Sequence, residues 1–368
     1  MKSERYMKLN VVFVGTKFLY NDPLQAYALR QAKKLSDALV SIHFYKDGEN
    51  SLFLDLEAMF EDKKNTLIVA SKQNFPTIGK LVCTITEDNL VLKEEMLIPS
   101  RTTLFEHNSY LVEYRGARVN ILLLDEMQKM PAILLEEERK SAVIQLFGED
   151  ENSAKVLLDT LSQTYDVKLE FVTLVDGWLE VHIESKKHGN VAEFIHSAKQ
   201  LLPKKIIPSA NIMTYIIETL SLQNKTITFA ESCTGGLLTY FLTRNNGASK
   251  ILNGSLVTYS NEIKANWLAV DRDVLETFGA VSKETVTQMS EGAMSVSEAD
   301  FAISVSGIAG DTGGTPQKPV GTVYIGVRTK TDHIEEHLLL QGDRNYVQYQ
   351  SVLYAIKTLL LHDKETFF

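Results

Sequence analysis

Residues 226–239 read TITFAESCTGGLLT. A β-branched and apolar run ends at a carboxylate, Glu231. Ser232 and Cys233 follow side by side, then Thr234, Gly235 and Gly236, and the apolar pattern resumes. The run has strand composition and the resumption has helical spacing, so the spacing predicts a strand over 226–230 and a helix over 235–245. A strand that feeds directly into a helix belongs to a parallel layer, which places this stretch in an α/β fold.

Working outward, the same alternation fills 209–368. The pattern predicts a helix over 211–222, strand 251–259, helix 262–268, helices near 273–278 and 283–297, and strand 301–306. A glycine loop, strands 321–328 and 333–340, and a helix over 344–361 complete it. At the other end, KLNVVFVG (8–15) predicts a buried strand running into Gly15-Thr16. A helix over 24–39, strand 40–45, helix 51–60 and strand 66–70 follow, and the segment from about 82 onward reads as β-rich, with a turn at Arg115-Gly116. Between these regions, 141–206 reads strand, helix, strand, strand, helix, with Pro203 and Pro208 marking a linker. The expected architecture is α/β and multi-domain. It has a Rossmann-like three-layer domain over 1–140, a small α+β linking domain over 141–208, and a three-layer α/β/α domain over 209–368.

The 368 residues exceed one ordinary core. Hydrophobic residues make up 44% and charged residues 23%, and the net charge is −9. That charge argues against nucleic acid as a partner, because phosphate binding needs a concentrated positive field. No apolar run reaches the ~18 residues of a membrane span. Two cysteines far apart in the chain, Cys83 and Cys233, fit a reducing compartment, and the opening MKSERYMKLN lacks a secretory apolar core, so a cytoplasmic protein is expected.

A nucleophile at a strand–helix junction is fixed by the strand end and faces backbone N–H groups able to stabilise an oxyanion. Ser232 stands there, but the pattern is not G-x-S-x-G, and on pattern alone a helix N-cap, which serine at such a junction usually is, comes ahead of a nucleophile. Cys233 would need a histidine to become a thiolate, and a small buried residue is the simpler reading. The C-terminal region offers His333, His337 and His362. HIEEH (333–337) matches a zinc-binding string that requires a helix, but it follows a Thr-Lys-Thr-Asp turn and reads as a strand, so no metal is expected. Lys264, in VTYSNEIKANW, is the remaining base. To act it must be neutral, which needs a pKa lowered by about three units; otherwise it is a solvated lysine beside Glu262. VSGIAGDTGGTPQKPVGT (305–322) places a glycine loop at a strand's C-terminal end, where open α/β sheets bind ligands.

AESCTGG, VTYSNEIK, GAVS (279–282), SGIAG with GGTPQKPVGTV, and GDR (342–344) together resemble the C-terminal domain of the CinA family, known as a nicotinamide-nucleotide amidase. The resemblance covers nearly all of 209–368, in order. It implies hydrolysis of nicotinamide mononucleotide to nicotinic acid mononucleotide and ammonia, without metal or other cofactor, by a Ser232–Lys264 pair. It also implies that Tyr259 orients Lys264. Cys233, Thr234, Gly235 and the stretch Gly307, Ile308, Ala309 and Gly310 would line the substrate site, with oxyanion donors near Cys233 and Thr234 or in Gly307–Gly310. Arg344 would bind the substrate phosphate, and a homodimer is expected. The first 140 residues resemble the family's molybdopterin-binding-like N-terminal domain, where an ADP-ribose pyrophosphatase activity often resides. Here Lys17 replaces the acidic residue after the threonine, ASKQNFPTIGKLV replaces the glycine-rich phosphate loop, and LLLDEMQKM stands in for the later loop. Loss of that activity is the expectation. A non-catalytic scaffold or nucleotide-sensing partner protein is the alternative for the whole chain.

Overall fold

The computed structural model describes residues 4–5, 8–36, 38–135, 140–186 and 188–368. It is mixed α/β and forms two compact units, Met1–Ala142 and Val143–Phe368.

In the first unit, four parallel strands lie side by side in the order Ala38–Tyr45, Lys8–Val14, Asn65–Ala70, Ala117–Leu123. Ser109–Tyr114 and Thr102–Glu106 extend this sheet antiparallel. Side chains alternate across each strand. Val12, Val14 and Ile68 pack with Leu56, Phe60 and Val82 on one face, while Val11, Phe13, Leu67 and Val69 pack with Leu24 and Ala28 on the other. The expected turn at Arg115-Gly116 is present, both residues having positive φ (49° and 91°).

One expectation fails here. VCTIT, read as part of a β-rich stretch, ends the helix Phe75–Thr86. Its β-branched residues favour strands locally, but Ile78, Val82, Cys83 and Thr86 recur at helical spacing and are buried against the sheet's neighbours. Burial outweighs the few tenths of a kcal/mol of propensity per residue.

In the second unit, the strand Ile227–Glu231 lies between Leu252–Val257 and Phe301–Gly307, parallel to both. Thr322–Thr329 and His333–Leu339 continue the sheet antiparallel. On one face Ala230 meets Leu268, Leu275, Met289 and Ala293 from the helices Asn261–Leu268, Arg272–Thr277 and Lys283–Ser297. The other face packs Ile227, Phe229 and Ile303 against Ile212–Leu222, Leu237–Thr243 and Arg344–His362. Helices thus cover both faces of the sheet. HIEEH forms a strand, as expected, with His337 stacked on Tyr324 at 4.4 Å.

The segment expected to stand alone as a linking module shares this second core. Phe147, Val175, Trp178 and Ile207 are buried in one cluster with Phe367 and Leu360. Phe147 meets Phe368 edge-on with ring centroids 5.7 Å apart. Lys357 Nζ donates to the Asp176 carbonyl at 2.9 Å. The proline-flanked KKII, read as a linker, contributes Ile206–Ile207 as a short strand paired with Lys140–Phe147. Both isoleucines are fully buried, which a solvated linker would not allow.

Candidate active site

Three parallel strands of the second unit end at Glu231, Val257 and Gly307, and the loops that follow them converge. Ser232 is the first residue beyond the central strand. Its N–H donates to the Val305 carbonyl at 2.9 Å, which continues the ladder and fixes the residue to the sheet. Lys264 lies one turn into the helix Asn261–Leu268, whose N-cap Ser260 accepts from Ile263 N–H at 3.2 Å. The lysine is 0% exposed. Its Nζ lies 3.0 Å from Ser232 Oγ, 2.7 Å from the Thr258 carbonyl and 3.1 Å from the Tyr259 carbonyl.

Among the described residues the amine has no fourth hydrogen-bond partner and no carboxylate beside it. Burial pushes the Lys264 pKa down from 10.5 to about 8. A neutral amine has two N–H donors and one lone pair. The two carbonyls can take the donors, leaving the lone pair to accept the Ser232 hydroxyl proton. Burial acts oppositely on the neighbouring thiol: Cys233 is pushed up to about 12, so at neutral pH it is an uncharged thiol rather than a nucleophile.

The alternative that Ser232 caps the following helix finds no support. Leu237–Thr243 opens at Gly236, and its first-turn amides are taken by Glu231: Gly236 and Leu238 N–H donate to Oε2 at 2.9 and 3.0 Å, and Thr239 N–H to Oε1 at 2.8 Å. The Ser232 hydroxyl is left for Lys264.

The remaining expected residues fall around this pair in different ways. Tyr259 orients Lys264 through its carbonyl; its side chain is 65% exposed. Thr234 is buried, and its hydroxyl has no partner among the described residues. Gly235 adopts φ +60°, a conformation that turns the chain sharply after Ser232. Gly307 ends its strand where a Cβ would come 3.1 Å from Cys233 Sγ. Ile308 is pinned by its N–H to the Thr322 carbonyl (2.9 Å) and its carbonyl to Gly321 N–H (2.8 Å). Ala309 is buried, and Gly310 lies directly under the Arg344 guanidinium, which a side chain at 310 would strike. Arg344 itself opens the helix Arg344–His362 and is exposed.

Three contributors were not expected from the sequence: the Thr258 carbonyl, Glu231, and Gln348, whose Nε2 donates to the Cys233 carbonyl at 2.7 Å. Glu231 had a signal, a carboxylate five residues before a glycine-opened helix. Gln348 had none.

The sequence profile of the CinA C-terminal domain matches residues 209–362. Residues 209–362 belong to the CinA C-terminal domain family. A competence-damage inducible protein from a Thermoanaerobacter species is 28% identical over 404 aligned residues, covering 95% of this chain and 97% of the relative. A CinA-like protein of Thermotoga maritima is 42% identical over 201 residues, covering 52% of this chain and 48% of the relative. Among solved structures, the competence/damage inducible protein CihA from Agrobacterium tumefaciens is 34% identical, covering 42% of this chain and 96% of that one, with a TM-score of 0.40.

The first unit has a cleft at its strand ends, lined by Thr16, Lys17, Asp47, Ser71, Lys72, Gln73 and Asp125. Two carboxylates reach it, although the sequence motifs suggested none. Asn74 Nδ2 donates to Asp47 at 2.5 Å, and that contact holds the Asp47 carboxyl below its usual range. Lys17 pairs with Asp125 and lies 3.4 Å from Glu126 Oε2, and the lysine contact lowers the Asp125 pKa. Among the described residues no three His, Cys, Asp or Glu side chains gather closely enough to hold a metal ion.

Proposed function

We propose that residues 209–368 form an amidase that hydrolyses the carboxamide of nicotinamide mononucleotide, giving nicotinic acid mononucleotide and ammonia. The observation that carries this reading is the 3.0 Å approach of Lys264 Nζ to Ser232 Oγ, with the lysine fully buried. A scaffold has no use for a desolvated lysine, which destabilises the fold.

In this mechanism the neutral Lys264 amine removes the Ser232 proton as Oγ bonds to the carboxamide carbon. The carbonyl electron pair moves onto oxygen. Gly235 N–H is bonded to the Ser232 carbonyl and the Gly236, Leu238 and Thr239 amides to Glu231, so the amides of Cys233 and Thr234, which face only the Cys233 thiol, are the nearest donors for that oxyanion among the described residues. As the pair returns, the C–N bond breaks and ammonia leaves with the proton from Lys264. Lys264 then deprotonates a water, which attacks the acyl-enzyme, and Ser232 recovers its proton. Arg344 supplies a planar fork of donors for the substrate phosphate. No metal or cofactor enters the scheme, and the working unit is proposed to be a cytoplasmic homodimer.

The test is ammonia release with product analysis on a panel of pyridine amides, with no metal added. Ser232→Ala should lose at least about a thousand-fold in kcat, as removal of a nucleophile does, with unchanged circular dichroism. Retained turnover in a folded Ser232→Ala protein ends this mechanism. For the first unit we infer that ADP-ribose pyrophosphatase activity is lost, because Lys17 already neutralises one of the two carboxylates in its cleft.

A further inference from the structure

Glu231 is 0% exposed, and its two oxygens accept four bonds, all from neutral donors. Besides the amides of Gly236, Leu238 and Thr239, the Thr239 hydroxyl reaches Oε1 at 2.5 Å. Four donors fill the carboxylate's acceptor capacity. Its main chain is equally committed: the Glu231 carbonyl accepts from Thr258 N–H at 2.8 Å, and the Thr258 carbonyl in turn holds Lys264 Nζ. Between the carboxylate and the helix it caps lies the turn 232–236, in which Gly235 and Gly236 have φ +60° and +101°. Glycine in that region is free of strain but also free to leave it, so the turn has little stiffness of its own. The Val305 carbonyl anchors the Ser232 N–H to the sheet, and a second anchor beyond the glycines must hold the far end of the turn that carries the side chain.

We propose that Glu231 is a positioning residue for the nucleophile. By holding both ends of the glycine turn it fixes Ser232 Oγ against Lys264. By occupying the first-turn amides it also keeps substrate anions off that helix end, so the oxyanion goes to the Cys233 and Thr234 amides and the phosphate to Arg344. The inference rests on the amidase reading and deepens it.

The experiment compares the full-length protein with Glu231→Gln and Glu231→Asp. In Glu231→Gln one carboxylate oxygen becomes an NH₂ that faces N–H donors and cannot accept from them. Misplacing a reacting group by about 1 Å can cost about 100-fold, so kcat should fall by that order while KM stays within about threefold. The pH inflection set by Lys264 should move little, because burial of the amine, to which Glu231 makes no direct contact, is what lowers its pKa. Glu231→Asp keeps the charge and lacks the reach, and should recover only part of the loss. A second readout needs no substrate: the rate at which a fluorophosphonate probe modifies Ser232, with Ser232→Ala as the blank. Glu231→Gln should slow it in step with kcat. If the wild-type protein is labelled at Ser232 yet releases no ammonia from nicotinamide mononucleotide, the substrate reading fails and the labelling rates alone decide the role of Glu231. A folded Glu231→Gln protein within twofold of wild type in both readouts, or a wild-type Ser232 that resists the probe, overturns the proposal. Should Glu231→Gln fail to fold, Thr239→Val removes one of the four donors, and an unchanged labelling rate in that variant overturns it equally.

Discussion

Each unit of this protein carries a lysine just beyond the C-terminal ends of parallel strands, and the two lysines have opposite surroundings. Lys17 follows the strand Lys8–Val14 by a short turn and is partly exposed, with the carboxylates of Asp125 and Glu126 against it. Lys264 is fully buried and faces two carbonyls and a hydroxyl. An ion pair with carboxylates favours the charged form of a lysine; desolvation among neutral acceptors favours the free amine. The first arrangement fills a cleft and the second can run a proton transfer. A lysine at a strand end is therefore no evidence of catalysis until the charges beside it are known.

The most damaging change to this contrast is the removal of the buried lysine. Lys264→Met should cost at least about a thousand-fold in kcat, as loss of a general base paired with a nucleophile does. It should also stabilise the fold at neutral pH. A folded pKa of about 8 against 10.5 unfolded means the unfolded chain binds the proton more tightly. The resulting penalty is fully present below pH 8 and fades as pH rises towards 10.5, and at 1.36 kcal/mol per unit it is on the order of 3 kcal/mol. The gain in melting temperature should accordingly be largest at pH 7 and shrink by pH 10. A Lys264→Met protein less stable than wild type at pH 7 would contradict the desolvation account. In the wild-type enzyme the same titration predicts that kcat/KM rises about tenfold per pH unit below 8 and levels off above it. A profile flat from pH 6 to 9 would show that the amine does not act as the base.

A smaller effect is expected at the phosphate end. Gly310→Ala puts a methyl group where the Arg344 guanidinium lies, and that flexible side chain must move. KM for the mononucleotide should rise about tenfold, the value of one charge-assisted contact, with kcat little changed. The riboside without its phosphate should be hydrolysed equally well by both proteins. If the variant is impaired equally on both substrates, Arg344 is not the phosphate reader.

The smallest effect belongs to the first unit. The Lys17–Asp125 pair is about a fifth exposed on each side, and partly exposed pairs contribute at most about 1 kcal/mol. Lys17→Ala should shift the melting temperature by only a few degrees and leave amidase activity untouched. Hydrolysis of ADP-ribose by the Ser232→Ala protein, with or without magnesium, would remove the distinction between a plugged cleft and a working one.

Much of this was legible in the sequence, for physical reasons. The strand and turn at 226–236 announce themselves by composition, and Ser232 and Lys264 lie in short motifs whose order survives in the fold. What escaped depended on contacts made across the sheet. The local sequence of VCTIT favours a strand, and only burial against neighbouring elements makes it helical. KKII resembles a linker until Ile206 and Ile207 find a strand edge. The sequence could not say which atom of Tyr259 faces Lys264; it is the carbonyl, while the side chain is exposed. Glu231 stood in plain view, but nothing local says that a strand-end carboxylate turns inward to cap the next helix. Asp47 and Asp125 come from separate strand ends and meet only in three dimensions.

The shared core of the second unit has a practical corollary for anyone dividing this protein into fragments. Trimming at residue 208 strips Phe147 and Trp178 from the aromatic residues at the chain's end and bares a greasy wall to water. Starting instead at 143 keeps that wall roofed, and the fragment obtained this way should remain monodisperse at concentrations where the shorter one precipitates.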